Sequence, residues 1–284
     1  MRLGAHLSIA KGLDHAVKMA VEIQANTFQF FTRNPRGGAA RAIADDEIVR
    51  FREDRAKYDQ WEIVGHFPYT VNLATPKEDL WDFACRVLYE DLRRFSPAEV
   101  EYLVTHPGAH LGKGEAAGIK RLASAIDQAF EGFGGKTMLL LETMAGRGTE
   151  IGTLAHLRAV LDLVKHPEMV GVCLDSCHLF AAGYDLRTPQ GVAILVEDIE
   201  KTVGFAKVKM LHVNDAAVTL GSKKDRHANL GEGELGLETF ANLMQVPEIA
   251  RLPWVLETPQ DDYRDYAKEI ALLRELWAQQ TNTD

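Results

Sequence analysis

The chain contains few cysteines and no segment that resembles a membrane span or a signal peptide. Cys85, Cys173 and Cys177 are the only cysteines among 284 residues, and none belongs to a CxxC pair. Such a small, odd number argues against a disulfide framework, so we expect buried thiols. No apolar run reaches the roughly 18 residues that a transmembrane helix needs. The N-terminal sequence MRLGAHLSIAKG lacks a signal peptide's apolar region, so we expect a cytoplasmic protein.

The chain also lacks an excess of positive charge. It has 32 Lys and Arg residues against 41 Asp and Glu residues, which gives a formal net charge of −9. Because nucleic-acid-binding proteins usually carry a basic surface, this balance disfavours a nucleic-acid substrate. Net charge is not a local potential, however, since bound cations are often the largest charges in a site. The composition therefore weakens a nucleic-acid function without excluding it.

Low-complexity linkers, internal repeats and long runs of charge are missing as well. Hydrophobic residues make up 46% of the chain and charged residues 26%, as in ordinary globular proteins. A single α/β barrel typically needs about 250 residues. We therefore interpret residues 1–284 as one domain.

Short apolar, β-branched runs alternate with helical stretches along the whole chain. In residues 11–24, for example, apolar residues recur at the spacing of an amphipathic helix. Eight strands are predicted, at residues 2–7, 27–32, 61–66, 101–106, 137–142, 170–175, 207–212 and 253–257. Strands that alternate with helices build parallel sheets. The pattern predicts an α/β fold of the TIM (β/α)8 barrel type.

Six of the predicted strands end on a histidine or a carboxylate. These residues are His66, His106, Glu142, Asp175, His212 and Glu257. Any one of them alone would more often be a structural residue than a metal ligand. In a closed barrel, however, the C-terminal ends of the strands converge on one mouth, where active sites lie. The sequence therefore predicts that all six meet there.

Three further candidate ligands lie close in sequence to these six. They are His178, three residues after Asp175, and the Asp225–His227 pair in the loop after the seventh strand. Nine ligands are too many for one ion and suit two or three. Imidazole and carboxylate together suit zinc, iron, nickel and manganese. Clustered divalent ions can activate a water and stabilise both the attacking and leaving oxygens of a phosphodiester.

Basic residues follow two of the strands that lead to this mouth. The loop after the second strand contains Arg33, Arg36 and Arg41, and the loop after the seventh contains Lys223, Lys224 and Arg226. Barrels place binding residues on these loops. Each residue taken singly is interpretable as a solvated loop charge. Two basic loops over one cluster of metal ligands favour an anionic substrate.

Two long motifs of the chain are similar to those of a known family. They are GVCLDSCHLFAAGYD at 171–185 and HVNDAAVTLGSKKDRHANLGEGELG at 212–236, supported by THPG at 105–108 and LETMAGRGTEIG at 141–152. The chain resembles endonuclease IV, the zinc-dependent apurinic/apyrimidinic endonuclease family 2 (deoxyribonuclease IV). The likeness extends from GAHLS at 4–8 to LETP at 256–259.

The resemblance implies a TIM barrel with three zinc ions per chain. The first zinc would be held by His66, His106 and Glu142; the second by Glu142 as a bridge with Asp175, His212 and Glu257; the third by His178, Asp225 and His227. It implies hydrolysis of the phosphodiester 5′ to an abasic site, which leaves a 3′-hydroxyl and a 5′-deoxyribose phosphate, and removal of 3′ blocking groups. A hydroxide that bridges two zincs would be the nucleophile, with Glu142 and Glu257 as catalytic residues. Mn²⁺ or Fe²⁺ fits the ligand set almost as well.

The resemblance also implies a DNA-binding surface. Arg36 and Tyr69 match the residues that fill the gap left by the flipped abasic sugar, and Lys223, Lys224 and Arg226 are expected to contact DNA. The chain departs from the family pattern at Thr70, Met144 and Ala216. The expected partner is double-stranded DNA with abasic sites or 3′-blocked ends. We expect a monomer without membrane association, located at the bacterial nucleoid when it acts on DNA.

Two other functions remain open at the level of sequence. A single-metal sugar isomerase or epimerase of the xylose-isomerase-like barrel class would need only Glu142, Asp175, His212 and Glu257. A non-catalytic DNA-damage binder would use the metals structurally, although structural zinc is normally closed by four ligands on one ion. The number of bound metals separates the isomerase from the nuclease.

Overall fold

Eight parallel strands close into a barrel in the computed structural model, which describes residues 1–35, 40–60 and 62–281. The barrel strands are β1 Arg2–His6, β2 Thr27–Phe31, β3 Ile63–His66, β4 Tyr102–Thr105, β5 Met138–Glu142, β6 Val170–Asp175, β7 Val208–Val213 and β10 Pro253–Leu256. Two short strands, β8 Asp215–Ala216 and β9 His227–Ala228, form an antiparallel ribbon after β7. Pairing of β1 with both β2 and β10 closes the barrel.

Helices cover the outside of the barrel between the strands. They are α1 Leu13–Glu22, α2 Asp45–Lys57, α3 Glu78–Phe95, α4 Glu115–Phe130, α5 Leu154–Leu161, α6 Ser176–Ala182, α7 Pro189–Lys201, α8 Gly236–Met244, α9 Pro247–Ala250 and α10 Tyr266–Thr281. Short 3-10 turns lie at Ser96–Ala98, Pro167–Met169, Phe205–Lys207 and Tyr263–Asp265. Within residues 1–35, 40–60 and 62–281, no helix combines the length and the apolar character that a bilayer crossing requires.

The predicted α/β barrel is confirmed, and each of the eight predicted strands overlaps an observed one. The predicted bounds match those of β6, and those of the other strands differ by one or two residues at one or both ends. Trp61, at the start of the predicted third strand, lies outside the described residues. His106 and Glu257 lie one residue beyond the ends of β4 and β10. Such differences arise because the ends of a run in the sequence need not coincide with the first and last paired residues of a strand.

The interior of the barrel explains why the six strand-end residues share one mouth. Six fully buried residues, one from each of six strands, pack inside the barrel: Val64, Val104, Leu140, Cys173, Met210 and Val255. Alternate residues of a strand point to the same face of the sheet. The residue two positions further along each strand therefore also faces inward, at the C-terminal end. Those six residues are His66, His106, Glu142, Asp175, His212 and Glu257.

The packing of β1 against β2 requires a glycine below the mouth. A Cβ atom on Gly4 would lie 2.2 Å from the carbonyl oxygen of Thr27. Gly4 precedes His6 by two residues, so the same alternation directs His6 inward. The side chain of His6 packs on Phe31, with ring centroids 4.2 Å apart. The close approach of β1 and β2 thus places His6 beside the barrel mouth.

The three cysteines are buried free thiols, as expected from their number. Burial raises the pKa of Cys173 and of Cys177 to about 12. Both therefore remain thiols at neutral pH. The Sγ of Cys177 donates to the carbonyl of Arg226 at 3.4 Å. This contact ties the Cys177 thiol to the main chain of the loop after β7, beside the mouth.

Candidate metal centre

The nine predicted ligands meet at the barrel mouth in three groups, within each of which the ligand atoms lie within 4.8 Å of one another. The first group is His66, His106 and Glu142; the second is Glu142, Asp175, His212 and Glu257; the third is His178, Asp225 and His227. A further combination of Asp175, Cys177 and His227 meets the same distance. Glu142 belongs to the first and second groups, so the groups adjoin.

The first group is centred on one oxygen of Glu142. Oε2 of Glu142 lies 3.5 Å from Nε2 of His66 and 3.4 Å from Nε2 of His106. Two atoms that each lie about 2.0–2.1 Å from a tetrahedral zinc are about 3.3 Å apart. A direct hydrogen bond between charged groups would be shorter, at about 2.7–2.9 Å. The spacing therefore fits ligands of a shared cation.

The second group uses the other oxygen of Glu142. Nδ1 of His212 lies 3.1 Å from Oε1 of Glu142, 3.2 Å from Oε2 of Glu257 and 3.9 Å from Oδ2 of Asp175. The two oxygens of Glu142 thus face different groups. This is the arrangement of a carboxylate that bridges two cations.

The third group lies partly on the loop that follows β7. Oδ1 of Asp225 lies 3.4 Å from Nε2 of His178 and 3.3 Å from Nε2 of His227. Nε2 of His227 is also 3.9 Å from Oδ2 of Asp175, which belongs to the second group. The β8–β9 ribbon pairs Ala216 with His227 and so folds the loop back over the mouth.

Several ligand atoms are buried without a hydrogen-bond partner. Among the described residues these include Oε2 of Glu142, Nε2 of His178 and Nε2 of His227. A buried polar atom that lacks a partner costs about 1–3 kcal/mol. Each of the three atoms faces another ligand of its group across a distance that suits a cation. The donor set therefore fits divalent metal ions.

Three imidazoles are oriented by backbone carbonyls. Nδ1 of His66 donates to the carbonyl of Phe67 at 2.7 Å, and Nδ1 of His178 donates to the carbonyl of Thr143 at 2.9 Å. Nδ1 of His227 lies 3.3 Å from the carbonyl of Glu257. Because a carbonyl only accepts, Nδ1 carries the proton and Nε2 presents a lone pair to its group. Metal-bound histidines are held in this way.

His212 is oriented by a side chain that the sequence analysis did not identify. The amide nitrogen of Gln29 donates to Oε1 of Glu257 at 2.6 Å, which directs Oε1 of Gln29 towards Nε2 of His212 at 2.8 Å. Nε2 of His212 is therefore the donor, and Nδ1 faces the carboxylates. The amide nitrogen of Gln29 also lies 3.0 Å from Nδ1 of His6. The only sign of this role in the sequence is that a polar glutamine interrupts the phenylalanines of the strand TFQFF.

Asn214 fixes two carboxylate ligands and was likewise missed. Its amide nitrogen donates to Oδ2 of Asp175 at 2.7 Å, and its Oδ1 accepts the backbone N–H of Glu257 at 3.1 Å. The other oxygen of Asp175 accepts the backbone N–H of His178 at 2.7 Å and so caps helix α6. One strand end can thereby supply ligands to two groups, because the cap places His178 in the first turn of the helix.

Asp215 organises the loop that carries Asp225 and His227. Its buried carboxylate accepts the backbone N–H groups of Ala216 at 2.7 Å, Gly231 at 2.9 Å, Leu235 at 2.9 Å and Gly236 at 3.2 Å. A Cβ on Gly233 would lie 2.4 Å from Oδ1 of Asp215. The loop therefore closes around a carboxylate that is not a ligand.

Carboxylates and imidazoles at the mouth shift one another's pKa values strongly. Burial alone would raise the pKa of Glu142, but His212 and His106 hold it well below its ordinary value. Burial disfavours a proton on His178 and His212, yet the pKa of each is raised well above 6.5, for His178 mainly by Asp175 and Asp225. Carboxylates that attract protons to buried imidazoles also attract metal cations, which replace those protons.

A cavity of about 600 Å³ opens above the ligands, and we call it the metal cavity. Besides ligands of all three groups, its lining includes His6, Phe31, Tyr69, Met144, Arg147, Glu150 and Tyr266. Tyr69 is 46% exposed, and its ring packs against Phe31 with centroids 5.9 Å apart. The structure thus brings Tyr69 to the ligands. Arg36, its predicted companion, lies outside the described residues.

The predicted basic rim is only partly present. Lys223, Lys224 and Arg226 are exposed on the loop after β7 but do not line the metal cavity. Arg33, expected at the rim, instead donates to the buried carboxylate of Asp91, with Nη2 2.6 Å from Oδ1. That expectation was wrong for Arg33, because helix α3 supplies a carboxylate to pair with it.

Arg41 departs from the same expectation. Its guanidinium donates to both oxygens of Glu47, at 2.6 and 2.7 Å. The carboxylate of Glu47 also accepts the backbone N–H of Leu13 at 2.9 Å. Arg41 is therefore an intramolecular partner of helix α2 rather than a free cation of the rim.

The three departures from the family motif have distinct surroundings. The hydroxyl of Thr70 donates to the carbonyl of Pro35 and thereby joins the loops after β2 and β3. Met144 is buried against Gly152, where an added Cβ would lie 2.4 Å from Cγ of Met144. Ala216 is fully buried in the β8–β9 ribbon. None of the three removes a ligand.

Comparisons with known proteins show which family the chain belongs to. Residues 17–276 match the family model of the xylose isomerase-like TIM barrel. The probable endonuclease 4 of Moorella thermoacetica is 50% identical over 277 residues, which cover 97% of this chain and 99% of that protein. The chain belongs to the endonuclease 4 family. The resemblance inferred from the sequence motifs is thereby confirmed.

Solved structures support the endonuclease 4 assignment at the level of the whole chain. Endonuclease IV from Thermus thermophilus is 31% identical with a TM-score of 0.87, and the match covers 98% of this chain and 100% of that one. D-Psicose 3-epimerase from Clostridium cellulolyticum has a TM-score of 0.69 at 12% identity, and that match covers 98% of this chain and 99% of the epimerase. At that identity the epimerase shows the shared barrel fold alone.

Proposed function

We propose that this chain is a DNA repair endonuclease that hydrolyses the phosphodiester 5′ to abasic sites and removes 3′ blocking groups. The observation that carries the proposal is the convergence of nine ligands in three adjoining groups, bridged by Glu142, in a member of the endonuclease 4 family. Residues 1–284 would form one domain that performs the whole reaction.

The nine ligands would hold three zinc ions, one to each group. Bound divalent zinc lowers the pKa of water towards about 7 and stabilises charge on the attacking and leaving oxygens of a phosphodiester. The donor set accommodates Mn²⁺ or Fe²⁺ nearly as well. The ligand set would be His66, His106, Glu142, Asp175, His178, His212, Asp225, His227 and Glu257.

The protein's own contribution would be to hold these groups in fixed positions. Glu142 is fully buried and directs one oxygen to each of two groups. Glu257 is held by Gln29 and Asn214, and would orient the attacking water with the oxygen that faces His212. Preorganised groups stabilise developing charge without reorganising during the reaction. Glu142 and Glu257 are therefore the proposed catalytic residues.

Residues around the mouth would position the DNA. Tyr69, exposed beside the metal cavity, and Arg36 would fill the gap that an extruded abasic sugar leaves. Lys223, Lys224 and Arg226 would contact phosphates from the exposed loop after β7. Such contacts position a duplex without reading its sequence. The proposed protein acts as a monomer on damaged double-stranded DNA at the nucleoid, within the cytoplasm.

The decisive experiment combines a cleavage assay with a metal count. Freshly purified protein is analysed for metals and then incubated with a duplex that contains a single abasic analogue. We expect about three metal ions per chain and one nick on the 5′ side of the lesion. Exhaustive chelation should abolish the nick, and zinc should restore it. A metal-loaded protein that leaves the duplex intact across salt and pH would reject the proposal.

A sugar isomerase is the second candidate because its quartet is also present. Glu142, Asp175, His212 and Glu257 form a group by themselves. One metal ion per chain and turnover of a ketose or aldose would support that function. The five other candidate ligands would then bind no metal. Among the described residues, however, buried Nε2 atoms of His178 and His227 have no hydrogen-bond partner. Binding of abasic DNA without turnover would instead indicate a damage-binding protein.

A further inference from the structure

Arg147 lies on the loop between β5 and α5, which carries none of the residues assigned to DNA contact so far. We propose that its guanidinium binds a backbone phosphate of the DNA substrate at the rim of the metal cavity. This inference rests on the proposed nuclease function and adds a phosphate-binding residue to it.

The position of Arg147 is the first argument. Its side chain lines the metal cavity together with ligands of all three groups. Of the described residues that line this cavity, Arg147 is the only Arg or Lys, whereas Glu142, Glu150, Asp225 and Glu257 are acidic. A DNA backbone that reaches the ligands must pass these carboxylates. A cation at the rim offsets the repulsion that they exert on phosphate.

The availability of Arg147 is the second argument. The residue is exposed, and its guanidinium has no hydrogen bond or ion pair within the described part of the chain. Arg33 and Arg41 are different, since Asp91 and Glu47 respectively occupy their guanidinium groups. The carboxylate of Glu150 lines the same cavity, but it accepts the backbone N–H of Arg147 at 2.7 Å. It thereby fixes the main chain of Arg147.

The rigidity of the loop is the third argument. Gly146 and Gly148 flank Arg147 with φ angles of 77° and 60°, a left-handed conformation that favours glycine. The loop is joined to the one after β4: the backbone N–H of His110 donates to the carbonyl of Thr149 at 3.0 Å, and that of Ile151 donates to the carbonyl of Gly108 at 2.8 Å. The loop therefore presents Arg147 from a fixed turn.

The chemistry of the guanidinium identifies its ligand. The planar fork of donors matches two oxygens of one phosphate, which makes Arg the usual choice for bidentate phosphate binding. A backbone phosphate is the one anionic group present on every DNA substrate, damaged or intact. The contact should therefore contribute equally to binding of abasic, 3′-blocked and undamaged duplexes.

The test compares Arg147→Gln with Arg147→Lys and with Arg158→Gln in the metal-loaded protein. Arg158 is a matched control because it is an exposed arginine on α5 that pairs with Asp162 and does not line the metal cavity. Binding of an undamaged duplex is followed by fluorescence anisotropy across a salt series. The kcat/KM for an abasic duplex is measured over the same series, and metal content and melting temperature are checked for each variant.

For Arg147→Gln we expect about tenfold weaker binding of the undamaged duplex and an about tenfold lower kcat/KM for the abasic duplex. The slope of log affinity against log salt should be shallower by about 1. Arg147→Lys should retain the slope, and Arg158→Gln should match the wild type. An unchanged slope in Arg147→Gln, or a loss confined to the abasic duplex, would overturn the inference. Failure of the wild type to nick abasic DNA would instead overturn the proposed function, so the two failures are distinguishable.

Discussion

Oε1 of Gln29 accepts a hydrogen bond from Nε2 of His212 at 2.8 Å, and this bond decides which nitrogen of His212 faces the metal groups. With the proton on Nε2, the lone pair of Nδ1 points to Glu142 at 3.1 Å and to Glu257 at 3.2 Å. The same glutamine donates to Glu257. One amide therefore orients two ligands, one within β7 and one directly after β10.

The variant Gln29→Leu should weaken metal binding in the second group. Without the amide, neither the tautomer of His212 nor the position of Glu257 is fixed. Loss of such an orienting partner typically costs about tenfold to a hundredfold in metal affinity or activity. The measurement is metal retention against a graded series of chelator concentrations, together with kcat for abasic-site cleavage.

Gln60→Leu is the matched control for that variant. Gln60 is also buried and donates to the carbonyl of Ala25 at 3.0 Å, but it lies before β3 and does not line the metal cavity. Its replacement should lower stability without changing metal retention. If Gln29→Leu holds its metals as tightly as the wild type, the orienting role of Gln29 is wrong.

Glu142→Gln should reduce cleavage by several orders of magnitude and leave the fold nearly native. The amide preserves the volume of the side chain, but it offers one oxygen and no negative charge, so it cannot bridge the first and second groups. The measurements are single-turnover cleavage and the circular dichroism spectrum. Glu197→Gln, on the exposed pair with Lys201, is the control. Cleavage near the wild-type rate would mean that the bridge is misassigned.

The positions of six ligands were predictable because they depend on local periodicity alone. Each follows a buried residue of the barrel interior by two positions, as Glu142 follows Leu140. A strand period of two and the convergence of parallel strand ends suffice to place them at one mouth. Asp225 and His227 were candidates from their Asp-x-His spacing. Their assignment to a third group with His178 needed the family motif, since their loop has no comparable periodicity.

Other features depend on partners far away in sequence, which periodicity does not reveal. Gln29 acquires its role from His212 and Glu257, and Arg33 loses its predicted role because Asp91 neutralises it. In each case the residue type alone is compatible with a purely structural role and with a functional one. Only the three-dimensional neighbour decides between them.

Asp225→Asn should remove one metal ion and preserve the fold. Asp225 supplies the oxygen between His178 and His227, and its side chain is 42% exposed, so its loss leaves no large buried defect. We expect the metal count to fall from about three to about two, because two imidazoles alone do not complete a site. Elemental analysis and the melting temperature provide the measurements. Asp162→Asn, at the exposed residue directly after α5, serves as the control. A count that stays at the wild-type value would contradict the assignment of the third group.

Asp215→Asn should destabilise the loop after β7 more than an ordinary polar substitution. The buried carboxylate accepts four backbone N–H groups with its two oxygens. An amide replaces one of these oxygens with an NH2 group, which donates and cannot accept. We expect the free energy of unfolding to fall by about 2–4 kcal/mol, together with loss of metal from the third group. Urea unfolding and elemental analysis measure the two effects.

The control for that variant is Asp198→Asn, which removes the charge from the acceptor of a single bond from the hydroxyl of Tyr184 at 2.9 Å. Its cost should be about 1 kcal/mol, with metal content unchanged. Equal effects of the two substitutions would show that Asp215 does not organise the loop.

Removal of the metals should lower the melting temperature, and the size of the effect should depend on pH. Ligands that bind only the folded state stabilise it by about 2.7 kcal/mol at a concentration of 100 Kd, which corresponds to roughly 5–10 °C for a domain of this size. In the metal-free protein, protons on His178 and His212 partly replace the cations, because the pKa of each is raised well above 6.5. A raised pKa contributes stability that is present below 6.5 and is lost as the pH rises through the raised value. The lowered pKa of Glu142 contributes stability that is present throughout this range.

Chelation should therefore reduce the melting temperature less at about pH 6 than at about pH 8.5. At the lower pH, protons on the imidazoles of the metal-free protein offset more of the repulsion among the buried carboxylates. Metal binding is also weaker there, because the cations compete with those protons. Differential scanning calorimetry of metal-loaded and chelated samples at both pH values measures the difference. Chelator saturated with calcium controls for effects of the chelator itself. Equal melting temperatures of the loaded and chelated protein at the higher pH would mean that the mouth does not bind metal in the folded state. A larger shift at the lower pH would contradict the electrostatic account of His178 and His212.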